Sequence, residues 1–169
     1  IYAITANGNT NHSTTQEKFG DTSIYFDGTG DYLSIPSDTE FNFAGDFTFE
    51  CWVYWDGTSG EVINIDAGGG GGSRDFRIFF EGTKLKAVMQ DVGANDYLDN
   101  ASIVSSNTWT HIAVVRSVNT LTGYANGVAM NNPITLSGSI SGTSALHIGG
   151  VGDNAYTGYM DEIRLSKTA

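Results

Sequence analysis

The chain has 169 residues, and its 19 Asp and Glu outweigh 8 Lys and Arg to give a formal charge of −11. Such a surface repels phosphate backbones and anionic lipid, which argues against nucleic-acid and membrane partners. Cys51 is the only cysteine, so a disulfide scaffold and a Cys-based zinc site are excluded. Twenty-two glycines, two prolines, nine Phe, eight Tyr and three Trp make the composition of one strand-and-turn domain over 1–169.

Alternation of period two recurs from end to end, and no stretch carries a helical period. Residues 1–20 are polar and rich in Asn and Thr, and they predict an irregular lead-in with one short strand at 1–4. Strands at 23–26 and 31–35 flank a glycine-containing corner. Phe47–Trp55 is the clearest strand: Phe47, Phe49, Cys51, Val53 and Trp55 share one face, and Thr48, Glu50, Trp52 and Tyr54 the other. Further strands are predicted over 61–65, 75–80 and 84–90. The five glycines at 68–72 read as a loop tip, with no Lys-Ser/Thr or following helix to cradle a phosphate.

Residues 91–100 read as a loop, followed by strands over 109–117 and 121–125. Asn126-Gly127 predicts a hairpin, because both central positions of a type I′ turn need φ > 0. Short strands at 128–130, 145–148 and 158–165 complete the pattern. About a dozen short strands exceed what one open sheet holds, so two packed antiparallel sheets are expected. No apolar run approaches the ~20 residues of a membrane span. The chain starts at Ile1 without a methionine or leader pattern, and it is read as a piece of a longer modular protein.

Four segments stand in order: Phe26-Asp27-Gly28-Thr29-Gly30-Asp31-Tyr32-Leu33, Phe47-Thr48-Phe49-Glu50-Cys51-Trp52-Val53, Trp109-Thr110-His111-Ile112-Ala113-Val114-Val115-Arg116 and Gly158-Tyr159-Met160-Asp161-Glu162-Ile163-Arg164-Leu165. Between the last two lie Tyr124-Ala125-Asn126-Gly127 and Ile148-Gly149-Gly150. This order resembles the laminin-G-like, pentraxin-related branch of the concanavalin A-like lectin/glucanase superfamily, over roughly residues 20–169. The resemblance implies an all-β, two-sheet antiparallel jelly-roll sandwich. It implies a role in glycan recognition, adhesion or assembly within a secreted, cell-surface or virion-fibre protein. It also implies a Ca²⁺ ion near Asp27, Asp31 and Asp161, because first and last strands are neighbours in related jelly rolls. Calcium takes six to eight hard oxygens, which carboxylates and the carbonyls of a tight turn supply.

Two further sets are candidates for holding a ligand. Trp52 and Tyr54 share a strand face with Glu50, and Trp109 and His111 share another; aromatic faces stack on sugar rings, although Trp52, Trp109 and His111 individually suit packing roles better. The loops at 91–100 and 151–156 offer Asn95, Asp96, Tyr97, Asp153, Asn154 and Tyr156 for hydroxyl recognition, or are ordinary solvated loops. Catalysis has less support. Glu61 and Asp66 lack the middle carboxylate of a glucanase-type strand motif, and no His has an evident nucleophile partner. A non-catalytic glycan-binding module with glycan or cell-surface polysaccharide partners is therefore the leading expectation. A structural or self-associating module is the alternative, and a glycoside hydrolase the weaker one.

Overall fold

The computed structural model describes residues 2–69, 73–91, 94–100, 104–130, 133–135 and 144–169, with backbone alone at 66–69, 73–75, 89–91, 94–100 and 153. The strands are β1 (Thr5–Asn7), β2 (Asn11–Ser13), β3 (Ser23–Asp27), β4 (Tyr32–Ile35), β5 (Phe47–Trp55), β6 (Gly60–Gly69), β7 (Ser73–Glu81) and β8 (Lys84–Asp91). They continue with β9 (Ala94–Asn100), β10 (Thr110–Ser117), β11 (Thr120–Ala125), β12 (Val128–Ala129), β13 (Ile134–Thr135), β14 (Leu146–Ile148) and β15 (Thr157–Ser166). Short 3-10 turns at Thr39–Phe41 and Gly152–Asn154 interrupt the connections. No described helix is long and apolar enough to cross a membrane.

The strands form two antiparallel sheets, as expected. One runs β1-β4-β14-β6-β7-β8-β9; the other runs β12-β11-β10-β5-β15-β3-β2, with β13 paired to β11. The alternation in β5 explains the layering. Phe47, Phe49, Cys51, Val53 and Trp55 are essentially buried, while the intervening residues are half-exposed. Opposite them β7 offers Phe76, Ile78 and Phe80, and β6 offers Ile63 and Ile65. Trp55 stacks on Phe80 with centroids 4.6 Å apart, and Phe47 meets Phe76 edge-on at 5.4 Å, so aromatic pairs tie the sheets together. Each such buried ring contributes about 2 kcal/mol.

The Asn126-Gly127 hairpin forms as expected, with φ of 49° and 77°. Two expectations fail. Residues 1–20 are not an irregular lead-in with a strand at 1–4: Thr5–Asn7 and Asn11–Ser13 join separate sheets, pairing with β4 and β3. Their polarity misleads because both are edge strands with little to bury. The predicted loop at 91–100 contains β9, registered on β8 from Leu85↔Asn100 to Asp91↔Ala94. Of the expected glycine tip, Gly68 and Gly69 end β6, and 70–72 lie outside the described residues.

Candidate functional site

The outward face of the second sheet carries aromatic residues because its inward parity is spent on the core. Register places Tyr54 of β5 beside Tyr159 of β15, and Tyr159 beside Tyr25 of β3. With Trp109, just ahead of β10, these rings make a row across four strands: centroids are 5.6 Å apart for Tyr54–Trp109, 5.9 Å for Tyr54–Tyr159 and 4.9 Å for Tyr25–Tyr159. Partial burial, then the adjacent Tyr159, pushes the Tyr25 phenol above its ordinary pKa.

A second row adjoins the first. His111 pairs with Trp52, and Trp52 with Asp161. The Trp52 and His111 rings lie 5.4 Å apart, and Phe19 meets Trp52 edge-on at 5.8 Å. Next along β5, the Glu50 carboxylate lies 3.3 Å from His111 Nε2 and forms an ion pair with the Arg164 guanidinium. Phe19, Glu50, Trp52, His111 and Arg164, with Glu162 and Ile163, line an open cleft of about 660 Å³.

A bulge in β15 creates this arrangement. The register jumps from Asp161↔Trp52 to Arg164↔Glu50, with Glu162 at φ 50°. Strict alternation would put Asp161 and Arg164 on opposite faces; the extra residue brings both to the outer face. Asp161 then fixes the segment between β2 and β3. Its Oδ2 accepts the Lys18 and Phe19 backbone N–H groups at 3.0 and 2.9 Å, and its Oδ1 accepts Glu162 N–H at 2.9 Å. This strap lays the Lys18 ammonium 4.1 Å above the Trp52 ring.

The expected calcium ligands do not converge. β3 and β15 are neighbours, but Asp27 registers with Thr157, four residues from Asp161, or ~13 Å along the strand. Asp31 is buried, and its two oxygens accept Asn9 N–H at 2.5 Å and Asp27 N–H at 2.8 Å. Asp27 accepts Thr29 N–H at 2.7 Å and the Asn9 amide at 3.3 Å. All four oxygens at this corner thus have donors, which stabilise charge as an ion would. Among the described residues no three His, Cys, Asp or Glu side chains gather into a metal-binding group. The donor set does not fit a Ca²⁺ ion shared by Asp27, Asp31 and Asp161.

The other candidates divide. Trp52 and Tyr54 lie on the aromatic face. Asn95, Asp96 and Tyr97 lie on β9, at the edge of the opposite sheet, where the backbone alone is described. Asp153 and the exposed Asn154 lie in the 3-10 turn. Tyr156 is a correction: it is fully buried against Phe26 and Phe80, and its hydroxyl donates to the Tyr159 carbonyl at 3.3 Å. Burial holds its phenol neutral, well above the ordinary range. Lys18, Phe19, Tyr25, Tyr159 and Arg164 were not singled out by their sequence. Tyr25 and Tyr159 were legible as the outward neighbours of apolar Phe26 and Met160; the strap residues carried no signal.

Glu50 and Glu61 lie on different sheets. Glu50 is on the outer face of one sheet. Glu61 is buried in the other, bonded to the Asn64 amide at 2.7 Å and Arg77 at 3.2 Å. Asn64 in turn meets His147 Nδ1 at 3.1 Å. Glu50 and Glu61 do not flank a common space.

Several solved structures share this fold. The binding domain of Paraclostridial Mosquitocidal Protein 1 aligns over 99% of this chain at 15% identity and TM-score 0.77, with 44% of that chain covered. Domain 4 of AbnA, an extracellular GH43 arabinanase from Geobacillus stearothermophilus solved with arabinotriose, aligns over 97% at 18% identity and TM-score 0.68, covering 81% of its own length. Mouse laminin alpha1 domains LG4-5 align over 85% at 13% identity and TM-score 0.71, with 40% covered. The chain spans less than half the length of the toxin binding domains it matches. None of the curated proteins matches its sequence. A model of the concanavalin A-like lectin/glucanase superfamily, of the laminin-G type, matches residues 27–169, and the chain belongs to that family.

Proposed function

We propose that this chain is a non-catalytic glycan-binding module of a larger secreted or surface-exposed protein, and that the outer face of the β5-containing sheet holds the sugar. The cleft beside Trp52 carries the reading. It joins an indole and the half-exposed Phe19 to Glu50, His111 and Arg164, so apolar rings and hydroxyl-binding polar groups face one space. Sugars offer both chemistries, with C–H-rich ring faces and rims of hydroxyls. The sugar complex of the arabinanase domain and the toxin binding domains support this use of the fold. Pairing of Glu50 with Arg164 and His111 supports binding over hydrolysis, because it leaves Glu162 as the one cleft carboxylate not engaged among the described residues, where glycosidases use two across one bond. Calcium is not part of the proposal.

Titration of the chain with a panel of oligosaccharides, with and without EDTA, tests the reading. Binding is expected, and Trp52→Ala is expected to weaken it by about tenfold or more in protein shown to be folded by circular dichroism. Full affinity in that variant contradicts the site. A stable oligomer that binds no glycan favours an assembly module instead.

A further inference from the structure

The strap places an ammonium where a sugar would stack. Arg77, Lys86, Arg164 and Lys167 each pair with a glutamate. Lys18 does not: among the described residues its ammonium has no carboxylate partner, and it sits 4.1 Å over Trp52 and 5.7 Å from the Phe19 ring centroid. Two carboxylates beside Trp52 are engaged. Asp161 is spent on three backbone N–H groups, and Glu50 on His111 and Arg164. Glu162, exposed, is the other carboxylate lining the cleft.

We propose that Lys18 makes the cleft selective for acidic glycans, carrying a uronate or sialate carboxylate. The carboxylate draws the ammonium off the indole into an ion pair, and the sugar face takes the vacated ring. The exchange replaces one cation–π contact by a charge-assisted hydrogen bond and a stacking contact, so a neutral sugar, which offers nothing to Lys18, leaves the ring covered. The proposal rests on the glycan site above and assigns its ligand class.

Calorimetric titration with tetragalacturonate and its carboxyl-reduced counterpart, and with sialyllactose and lactose, tests it. At low salt at least one acidic glycan is expected to bind about tenfold tighter than its neutral partner. That gap is expected to close in Lys18→Met, persist in Lys18→Arg and shrink with added salt. Which acidic sugar shows the gap identifies the source of the carboxylate. Equal affinities within both pairs, with binding still dependent on Trp52, overturn the acid selectivity and leave the glycan site standing. No binding of any of the four overturns the selectivity and counts against the glycan site. A gap unchanged in Lys18→Met removes Lys18 from the role.

Discussion

Gly158 faces the Tyr54 carbonyl so closely that an added Cβ would lie 2.2 Å from its oxygen, at a φ of 134°. Only glycine lets β15 approach β5 at this point, next to the aromatic row. Gly158→Ala is expected to cost about 3 kcal/mol and lower the melting temperature by about 10 °C, which thermal unfolding checks. Cys51 shows the opposite extreme of burial. Desolvation, then the adjacent Glu50, pushes its thiol well above the ordinary value of 9.0. The native state therefore keeps the proton that the unfolded chain loses, so its stabilising effect is complete below pH 9.0 and declines as pH rises through the unfolded value toward the folded one. Relative to Cys51→Ala, the wild-type chain is expected to lose about 1.4 kcal/mol per pH unit above that point, measured by denaturant titration across pH. A stability difference independent of pH contradicts this.

Between β10 and β11, a two-residue turn puts Val118 at φ 58° with its side chain exposed. A β-branched residue in the left-handed region is strained, and glycine is favoured at such turn positions. Val118→Gly is expected to raise the melting temperature by a few degrees, about 1 kcal/mol, in a scan against the wild-type chain. The strap makes a second prediction at this scale. Asp161→Ala removes the acceptor of the Lys18 and Phe19 amides, so their hydrogen exchange is expected to accelerate while core amides of β5 keep their protection. The sequence revealed elements in proportion to what they bury. The apolar alternation of β5 was unmistakable, and the hairpin followed from Asn126-Gly127. β1, β2 and β9 are edge strands of their sheets, and their polar residues resemble loops. The bulge at Asp161–Arg164 was illegible for another reason. Alternation read from sequence assumes an unbroken period of two, and the inserted residue shifts every later side chain of β15 to the other face.

The two sheets give the molecule two outer faces of different chemistry. One carries the chain of half-buried Arg77, buried Glu61 and Asn64, and half-buried His147; the other carries the aromatic rows and the strap. The family and the sandwich were legible from four ordered motifs, because those motifs encode inward residues and tight corners. The cleft was only half legible. Trp52, Tyr54, Glu50, Trp109 and His111 follow from strand parity, whereas Lys18, Phe19 and Arg164 arrive through a strap and a bulge. The Asp corner was legible as a cluster, but not its satisfaction by backbone N–H groups; with those in place, EDTA is expected to leave the melting temperature unchanged. The most direct test of the account is amide chemical-shift mapping during titration with a bound oligosaccharide. The perturbed amides are expected to gather on β5, β10, β15 and the strap around Lys18 and Phe19. Perturbations confined to β6, β7, β9 and β14 on the opposite sheet would contradict it.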